Sequence, residues 1–202
     1  MCQTAGKNNY LVHCRGVSAV RVGFAGVEMN EYELVDAVEK LLEKSKSIIS
    51  KKTNWVKDWV SLKVDEDYQE ADVTYIVTSA IDPYACRWCL TGALTKAFFS
   101  DHTKEFVRIA EKTNDECFVN TAENESSVFS FALKLLADEI PNNIAEPIKY
   151  SNGDIRYAHK VVSFNDYSDT THEDVLNVFD KAIDMIEGMK QDMRPLDSTD
   201  RI

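Results

Sequence analysis

The clearest helix signal in the chain is NEYELVDAVEKLLEKSKSIISK, from Asn30 to Lys51. Asn30 followed by Glu33 forms a capping-box pattern, in which the Asn side chain accepts a hydrogen bond from the first helical turn and the Glu side chain reaches back. The apolar residues behind it recur at spacings of three and four, with lysines and glutamates opposite. They are Leu34, Val35, Val38, Leu41, Leu42, Ile48 and Ile49. This pattern predicts an amphipathic helix that packs on a core.

Four further segments carry apolar residues at helical spacing. They are Leu90–Phe99, about Thr103–Lys112, about Glu125–Glu139, which Pro141 stops, and a last helix that ends near Lys190. Polar residues that can cap an N-terminus precede three of these segments. The caps are Asp101, then Asn124 or Ser126, and then Thr170 with Glu173 in a second capping box. The chain is therefore predicted to be dominated by helices.

Extended segments are fewer and shorter. Those with β-branched or alternating apolar residues are Val17–Val27, Val60–Val64, Val73–Thr78 and Tyr157–Phe164. Only seven glycines and four prolines are present, which disfavours a turn-rich all-β sandwich. We therefore predict an α+β fold, a helix-dominated single domain with a small sheet of three or four short strands.

The predicted division of the chain follows from these patterns. Residues 1–29 form an N-terminal extension with one strand pattern, and residues 30–190 form the single helical α+β domain. Residues 191–202, QDMRPLDSTDRI, contain little to bury and are predicted to be a mobile tail.

Charge and composition limit the function classes. The net charge is −11, from 34 acidic and 23 basic residues. Such a surface repels phosphate backbones, and no stripe of lysine and arginine follows the chain, so direct nucleic-acid binding is not expected. The acidity leaves open that the surface imitates nucleic acid for a basic partner.

The predicted location is the cytoplasm. No window approaches the roughly 18 apolar residues of a membrane span, so no membrane association is expected. The N-terminus lacks the apolar core of a secretory signal. Five cysteines, an odd number, are more typical of a reducing compartment than of a disulfide scaffold.

The densest group of chemically capable residues is Cys86-Arg87-Trp88-Cys89, followed by LTGAL. Two cysteines at this spacing can hold a metal or cycle between thiol and disulfide. A structural zinc site needs four ligands, and no second Cys/His pair is present, so neither a metal nor a cofactor is predicted. Cys89 is placed at a helix N-terminus, where the helix dipole lowers the pKa of a thiol. Alternatively, both cysteines are buried structural residues, and Gly92 allows close helix packing.

A second candidate is the Asn165-Asp166 pair, which separates the predicted strand Tyr157–Phe164 from the last helix. Residues at such a junction are well placed to contact a ligand. The favoured alternative is that Asn165 and Asp166 only satisfy backbone groups in an Asx turn. We expect this pair to lie near the start of the Leu90–Phe99 helix. There the Asp166 carboxylate would accept hydrogen bonds from free backbone N–H groups.

Three of these features together resemble an uncharacterised family of small bacterial and phage proteins, known only as a domain of unknown function. The features are the helix LVDAVEKLLEK, the CLTGAL helix start at Cys89, and an Asn-Asp pair before a helix like THEDVLNVFDKAI. The resemblance covers roughly residues 31–187. It singles out Cys89, Gly92, Asn165 and Asp166 and implies no activity.

The chain departs from the family pattern at two places. The pattern has Trp before the Asn-Asp pair, where this chain has Phe164, and it has a shorter middle section than Glu70–Tyr84. These departures argue against a Trp-lined pocket.

Two functions remain. The first is a non-enzymatic acidic accessory or regulatory protein, of bacterial or phage origin, that binds another macromolecule, with a protein as the expected partner. The alternative is a small thiol-dependent enzyme or ligand-binding protein. In it Cys89 is the nucleophile or thiol sensor, Asp166 is a base, and Trp88, Gly92 and Asn165 contribute to binding. No oligomeric state follows from the sequence.

Overall fold

Helices dominate the computed structural model, which describes residues 22–24, 27–64, 75–101, 122–123, 126–151, 153 and 155–193. The α-helices of this part are α1 (Glu31–Ile48), α2 (Leu90–Asp101), α3 (Ser127–Glu139), α4 (Ala158–Asp166) and α5 (His172–Asp192). A short 3-10 turn, Lys52–Asn54, follows α1. The predicted α+β, helix-dominated class is confirmed. Among the described helices, none combines the length and the apolar character needed to cross a membrane.

The strands of the described residues form three small antiparallel sheets. The largest has the order β4-β3-β5, and two-stranded hairpins stand on either side of it in the sequence. The strands are β1 (Val22–Phe24), β2 (Val27–Met29), β3 (Ser61–Val64), β4 (Tyr75–Val77), β5 (Ala85–Trp88), β6 (Ile148–Lys149) and β7 (Ile155–Arg156). The strands predicted within Val60–Val64 and Val73–Thr78 are confirmed as β3 and β4. Strand β5 was not predicted, because its ACRW sequence has no alternating apolar pattern.

Helix α1 forms as its sequence predicts. The Glu33 N–H donates to Asn30 Oδ1, and the Asn30 N–H donates to the Glu33 carboxylate, each over 2.9 Å. The apolar stripe of α1 packs against α5 in the core. Lys190 of α5 bonds Asp36 at 2.7 Å, and Lys46 bonds Asp180, which places the two helices antiparallel.

The core lies between the helices. Its largest fully buried side chains are Phe98, Phe129, Phe179, Leu42, Ile49, Leu90, Leu94, Leu133, Leu135, Leu136 and Ile186. Phe98 and Phe129 meet edge to face with their ring centroids 5.3 Å apart, a favourable arrangement for aromatic rings. Trp55 and Trp88 pack against the outside of this core, so the loop after α1 and strand β5 are attached to it.

The predicted strand Tyr157–Phe164 is wrong, because this segment forms α4. Its β-branched residues, Val161 and Val162, favoured an extended conformation when considered locally. In the fold, Ala158, Val161 and Phe164 are buried at a spacing of three, which is the spacing of one helical face. Burial against α2 and α3 therefore outweighs the local preference.

The capping box of the last helix lies one residue later than predicted. Thr171, rather than Thr170, is the N-cap of α5, and its partner is Asp174 rather than Glu173. The Asp174 N–H donates to Thr171 Oγ1 over 3.2 Å, and the Thr171 N–H donates to the Asp174 carboxylate over 2.8 Å. Both pairs have suitable side chains, and in the fold Thr170 is buried while Thr171 is exposed.

Several sequence predictions fall partly or wholly outside the described residues. They are the helix Thr103–Lys112, the cap Asn124, most of the strand Val17–Val27, and residues 194–202 of the tail. Asp101, the predicted cap of the helix Thr103–Lys112, is the last residue of α2. Ser126 caps α3, and its Oγ accepts from the Phe129 N–H over 3.1 Å. Helix α5 extends to Asp192, slightly past the predicted end.

Candidate functional site

The residues singled out from the sequence meet at one place, with the side chain of Asn165 at its centre. Asn165 Oδ1 accepts from the Leu90 N–H over 3.1 Å and from Trp55 Nε1 over 2.9 Å. Its Nδ2 donates to the Val56 carbonyl over 3.2 Å and to Asp166 Oδ1 over 2.8 Å. The end of α4 therefore lies against the start of α2, as expected. The acceptor at the start of α2 is Asn165 and not Asp166, because α4 turns the amide inward.

Asp166 was predicted to accept hydrogen bonds at the start of α2, but it binds the loop after α1 instead. Its Oδ1 accepts from the Asp58 N–H over 2.8 Å. Asp58 has a φ of 65°, a left-handed conformation that few residues other than glycine adopt. Nearby, Lys57 Nζ donates to the carbonyls of Tyr167 and Ser168 over 2.7 and 3.0 Å. The end of α4 thus holds the loop after α1 in its strained conformation.

Cys89 is the residue before α2, and its thiol belongs to the protein interior. The Gly92 N–H donates to Cys89 Sγ over 3.2 Å, and Thr91 Oγ1 lies 3.2 Å from the same sulfur. The residue is 5% exposed. Burial raises the pKa of the Cys89 thiol above its usual range, the Asp166 charge adds to this, and the Thr91 and Gly92 hydrogen bonds oppose it. The expectation of a lowered pKa is therefore wrong, because desolvation outweighs the helix terminus.

Gly92 is required by a close backbone approach. A Cβ atom at this position would lie 3.0 Å from the Val60 carbonyl carbon and closer still to its oxygen. The same oxygen accepts from the Cys89 N–H over 3.1 Å. Gly92 therefore lets the loop that leads into β3 lie directly on α2, where the sequence predicted a helix–helix contact.

Trp88 and Trp55 link the strand region to the core. Trp88 Nε1 donates to the Ala80 carbonyl over 2.9 Å, and the Trp88 carbonyl accepts from the Val56 N–H over 3.2 Å. The Trp55 ring lies 5.7 Å from the His172 ring. Trp55 was not among the predicted site residues. A buried indole N–H usually needs a hydrogen-bond acceptor, and this requirement could have pointed to Trp55 as a partner of Asn165.

The two cysteines that the structure describes are free thiols. Cys86 Sγ lies 3.5 Å from the Leu62 carbonyl oxygen, on the strand side of the motif. Within the described ranges, no three His, Cys, Asp or Glu side chains are grouped in a way that would hold a metal ion.

We call Trp55, Val56, Asp58, Leu90, Asn165 and Asp166 the Asn165 junction. Both polar atoms of the Asn165 side chain are bonded within the protein, and the residue is 1% exposed. This geometry suits a group that holds three elements together. A ligand site needs polar groups that face solvent, and the Asn165 side chain offers none, so any binding surface lies outside the junction.

An open groove of about 420 Å³ lies beside the junction, at the ends of α3 and α4 and the start of α5. We call it the α4–α5 groove. Its apolar lining consists of Pro141, Ile144, Phe164, Tyr167 and Val178. Its polar lining consists of Glu139, Asp169, Thr170, Asp174, Asn177, Asp180 and Lys181. This groove could not be predicted from the sequence, because its lining comes from segments up to about forty residues apart that only the packing of α4 brings together.

The electrostatics of the α4–α5 groove are dominated by four carboxylates against one lysine. The hydrogen bonds from Thr171 hold the pKa of the Asp174 carboxyl below its usual value. Asp180 is paired with Lys46, and Asp169 accepts from Ser168 Oγ over 3.0 Å. The groove therefore combines an apolar wall with a negative rim at neutral pH.

A buried carboxylate, Glu123, supports the opposite end of α4. Tyr157, the N-cap residue of α4, makes no side-chain cap bond. Instead the Tyr157 N–H donates to Glu123 Oε1 over 2.7 Å, while Glu123 Oε2 is buried and makes no hydrogen bond within the described residues. Burial raises the pKa of the Glu123 carboxyl, although the backbone hydrogen bonds from Tyr157 and Ala158 act the other way. The ionised form of Glu123 is therefore disfavoured by folding.

Glu123→Gln is expected to raise the melting temperature by a few degrees at pH 7 and to leave it nearly unchanged near pH 4. A carboxyl whose pKa is raised in the folded state stabilises fully below its unfolded pKa, about 4.5, and that stabilisation is lost as the pH rises through the folded pKa. Glutamine keeps the acceptor for Tyr157 and carries no charge. Thermal unfolding followed by circular dichroism between pH 4 and 7 measures the difference. The exposed Glu187→Gln is the control, and a Glu123→Gln effect that shrinks as the pH rises contradicts the assignment.

Comparison with known proteins gives one match. The sequence model of a family described as a family of unknown function (DUF6197) matches residues 34–185, which include the Asn165 junction and the α4–α5 groove. No curated protein and no solved structure matches the chain.

Proposed function

Because the chain belongs to DUF6197, a family of unknown function, we propose its role from its own geometry: it is a non-enzymatic accessory protein that binds another protein. The binding surface is the α4–α5 groove. The observation that carries the proposal is the combination of an apolar wall, an exposed aromatic ring and a polar rim in one concave surface.

The composition of the groove is that of a protein-binding surface. Tyr167 is 44% exposed at the edge of the groove, beside the buried Phe164. Tyrosine is enriched among the residues that dominate binding energy at protein interfaces, where an apolar centre is surrounded by a polar rim. An occupant that covers Tyr167 would also bury the apolar wall.

The alternative, a thiol-dependent enzyme, is not supported by the geometry. A nucleophilic cysteine has to be reachable and at least partly ionised. Cys89 is buried, its pKa is raised, and its sulfur faces Thr91 and Gly92 of its own helix. In the proposed role Cys89 is a structural residue, and Asn165 holds the end of α4, whose Phe164 lines the groove, against the start of α2.

The proposed setting follows from the sequence. The family resemblance implies a bacterial or phage protein, and the odd cysteine count favours the cytoplasm. With a net charge of −11, the protein is expected to act on a protein partner and not on nucleic acid directly.

A bulky substitution inside the groove tests the proposal. Asn177→Trp is expected to reduce capture of a stoichiometric partner from the native host by at least about ten-fold, because the new ring occupies the groove without changing its charge. The readout is affinity purification followed by quantitative mass spectrometry.

The matched control places the same new side chain on the same helix outside the groove. Glu187→Trp, at an exposed position of α5, is expected to capture the partner as the unaltered protein does. If Asn177→Trp captures a stoichiometric partner as well as the unaltered protein does, the groove is not the binding surface.

A further inference from the structure

The geometry points to a basic, amphipathic segment of the partner protein as the occupant of the α4–α5 groove. This inference rests on the proposed function and names the chemistry of the partner. The segment carries lysine or arginine side chains on one side and apolar side chains on the other.

The first argument is charge complementarity. Glu139 at the end of α3 and Asp169 after α4 reach the groove from two different elements, and Asp174 and Asp180 reach it from α5. Lys181 is the one cationic side chain of the lining. An acidic segment would meet repulsion from three sides, whereas a basic one is attracted before contact and oriented on arrival.

Part of this negative charge is available to a partner. Asp180 is paired with Lys46, and Asp174 serves the start of α5. Glu139 makes no ion pair with any described residue, and the one hydrogen bond of Asp169 comes from the neutral Ser168 hydroxyl. Glu139 and Asp169 are therefore the carboxylates that a bound lysine or arginine would neutralise.

The second argument is the apolar wall. Ile144, Phe164 and Val178 line the groove, so a purely charged occupant would leave apolar surface in water. The exposed Tyr167 ring offers a face on which an arginine or lysine side chain can lie. The occupant therefore needs both kinds of side chain.

The third argument is size. A volume of about 420 Å³ accommodates a few side chains of one segment and lies at the lower end of the range for binding clefts. Such a groove suits a short segment better than the flat face of a folded domain. An amphipathic helix laid into a groove is a common way in which proteins meet this requirement.

Three synthetic peptides of equal length test the inference. The first places leucine and lysine at helical spacing, the second replaces lysine by glutamate, and the third replaces leucine by serine. Fluorescence anisotropy is expected to show binding of the first peptide only. Its affinity is expected to fall as the salt concentration rises from about 0.05 to about 0.3 M, because added salt shortens the Debye length and screens exposed charges.

Paired charge reversals separate the groove from the overall acidity of the protein. Glu139→Lys with Asp169→Lys is expected to weaken binding of the leucine–lysine peptide by at least about ten-fold. Asp184→Lys with Glu187→Lys makes the same change in net charge at exposed positions of α5 outside the groove. This control pair is expected to weaken binding by about two-fold or less. Circular dichroism confirms that each variant is folded.

Four results would overturn the inference: equal weakening by both pairs of reversals, binding of the glutamate peptide, equal binding of the serine peptide, or no binding of the leucine–lysine peptide. The first indicates bulk attraction, and the third indicates a site for any polycation. If Asn177→Trp abolishes capture of the native partner while no basic peptide binds, the groove remains the binding surface and the basic occupant is wrong. If the basic peptide binds at the groove but Asn177→Trp still captures the native partner, the proposed function is wrong.

Discussion

Gly92→Ala is expected to lower the free energy of unfolding by about 3 kcal/mol or more. The added Cβ would lie 3.0 Å from the Val60 carbonyl carbon and closer to the oxygen, so backbone atoms and not a flexible side chain have to move. The Val60 carbonyl is held by the Cys89 N–H over 3.1 Å, and moving it breaks that bond. Overpacking a rigid site costs roughly 1–3 kcal/mol, and a lost buried hydrogen bond adds to this. Urea unfolding followed by circular dichroism measures the change.

Gly188→Ala is the matched control for this prediction. Gly188 lies within α5, and a Cβ atom there would meet no atom within 4 Å. Alanine is preferred over glycine inside a helix by roughly 1 kcal/mol, so this variant is expected to be as stable as the unaltered protein or more stable. Equal stability of the two variants would show that the loop before β3 does not press on α2.

Asn165→Ala is expected to cost roughly 3–5 kcal/mol of unfolding free energy. The substitution removes the acceptor of the Leu90 N–H and of Trp55 Nε1, and it removes the donor to the Val56 carbonyl. Each buried group left without a partner costs about 1–3 kcal/mol, and the sum is reduced where the loop can relax toward water. Urea unfolding gives the stability, and Trp fluorescence reports the altered surroundings of Trp55.

Asn165→Asp separates hydrogen bonding from packing. Aspartate has the shape of asparagine and keeps an acceptor for Leu90 and Trp55, but it cannot donate to Val56 and it places a second carboxylate beside Asp166. We expect a loss of stability at pH 7 that becomes smaller as the pH is lowered and the new carboxyl is protonated. Asn177→Ala, at an exposed position, is the control and is expected to be neutral. An Asn165→Asp variant with unchanged stability would mean that packing alone holds the junction.

The Asn165 junction and the α4–α5 groove share the end of α4. Phe164 and Tyr167 line the groove, and they flank Asn165 and Asp166 in the sequence. Loss of the Asn165 junction would therefore displace the groove together with the loop. The binding experiments use Asn177, Glu139 and Asp169, which take no part in the hydrogen bonds of the junction.

Features that depend on contacts between neighbouring residues could be predicted from the amino-acid sequence. The capping box of Asn30 and Glu33 and the apolar stripe behind it predict α1, because both arise from contacts three or four residues apart. The helix start at Leu90 and the Ser126 cap follow from the same kind of local signal. The α+β class could be predicted from these elements because each of them has a strong local preference.

Features that depend on burial between distant segments became visible only in the folded protein. The segment Ala158–Asp166 is a helix, α4, because its packing against α2 and α3 outweighs the extended preference of its β-branched residues. The pKa of the Cys89 thiol is raised, because desolvation in the core exceeds the pKa-lowering effect of the α2 N-terminus. The acceptor of the free Leu90 N–H at the start of α2 is Asn165 and not Asp166, because the helical turn of α4 directs the Asn165 amide inward. The α4–α5 groove arises in the same way, because it exists only where the ends of α3 and α4 meet the start of α5.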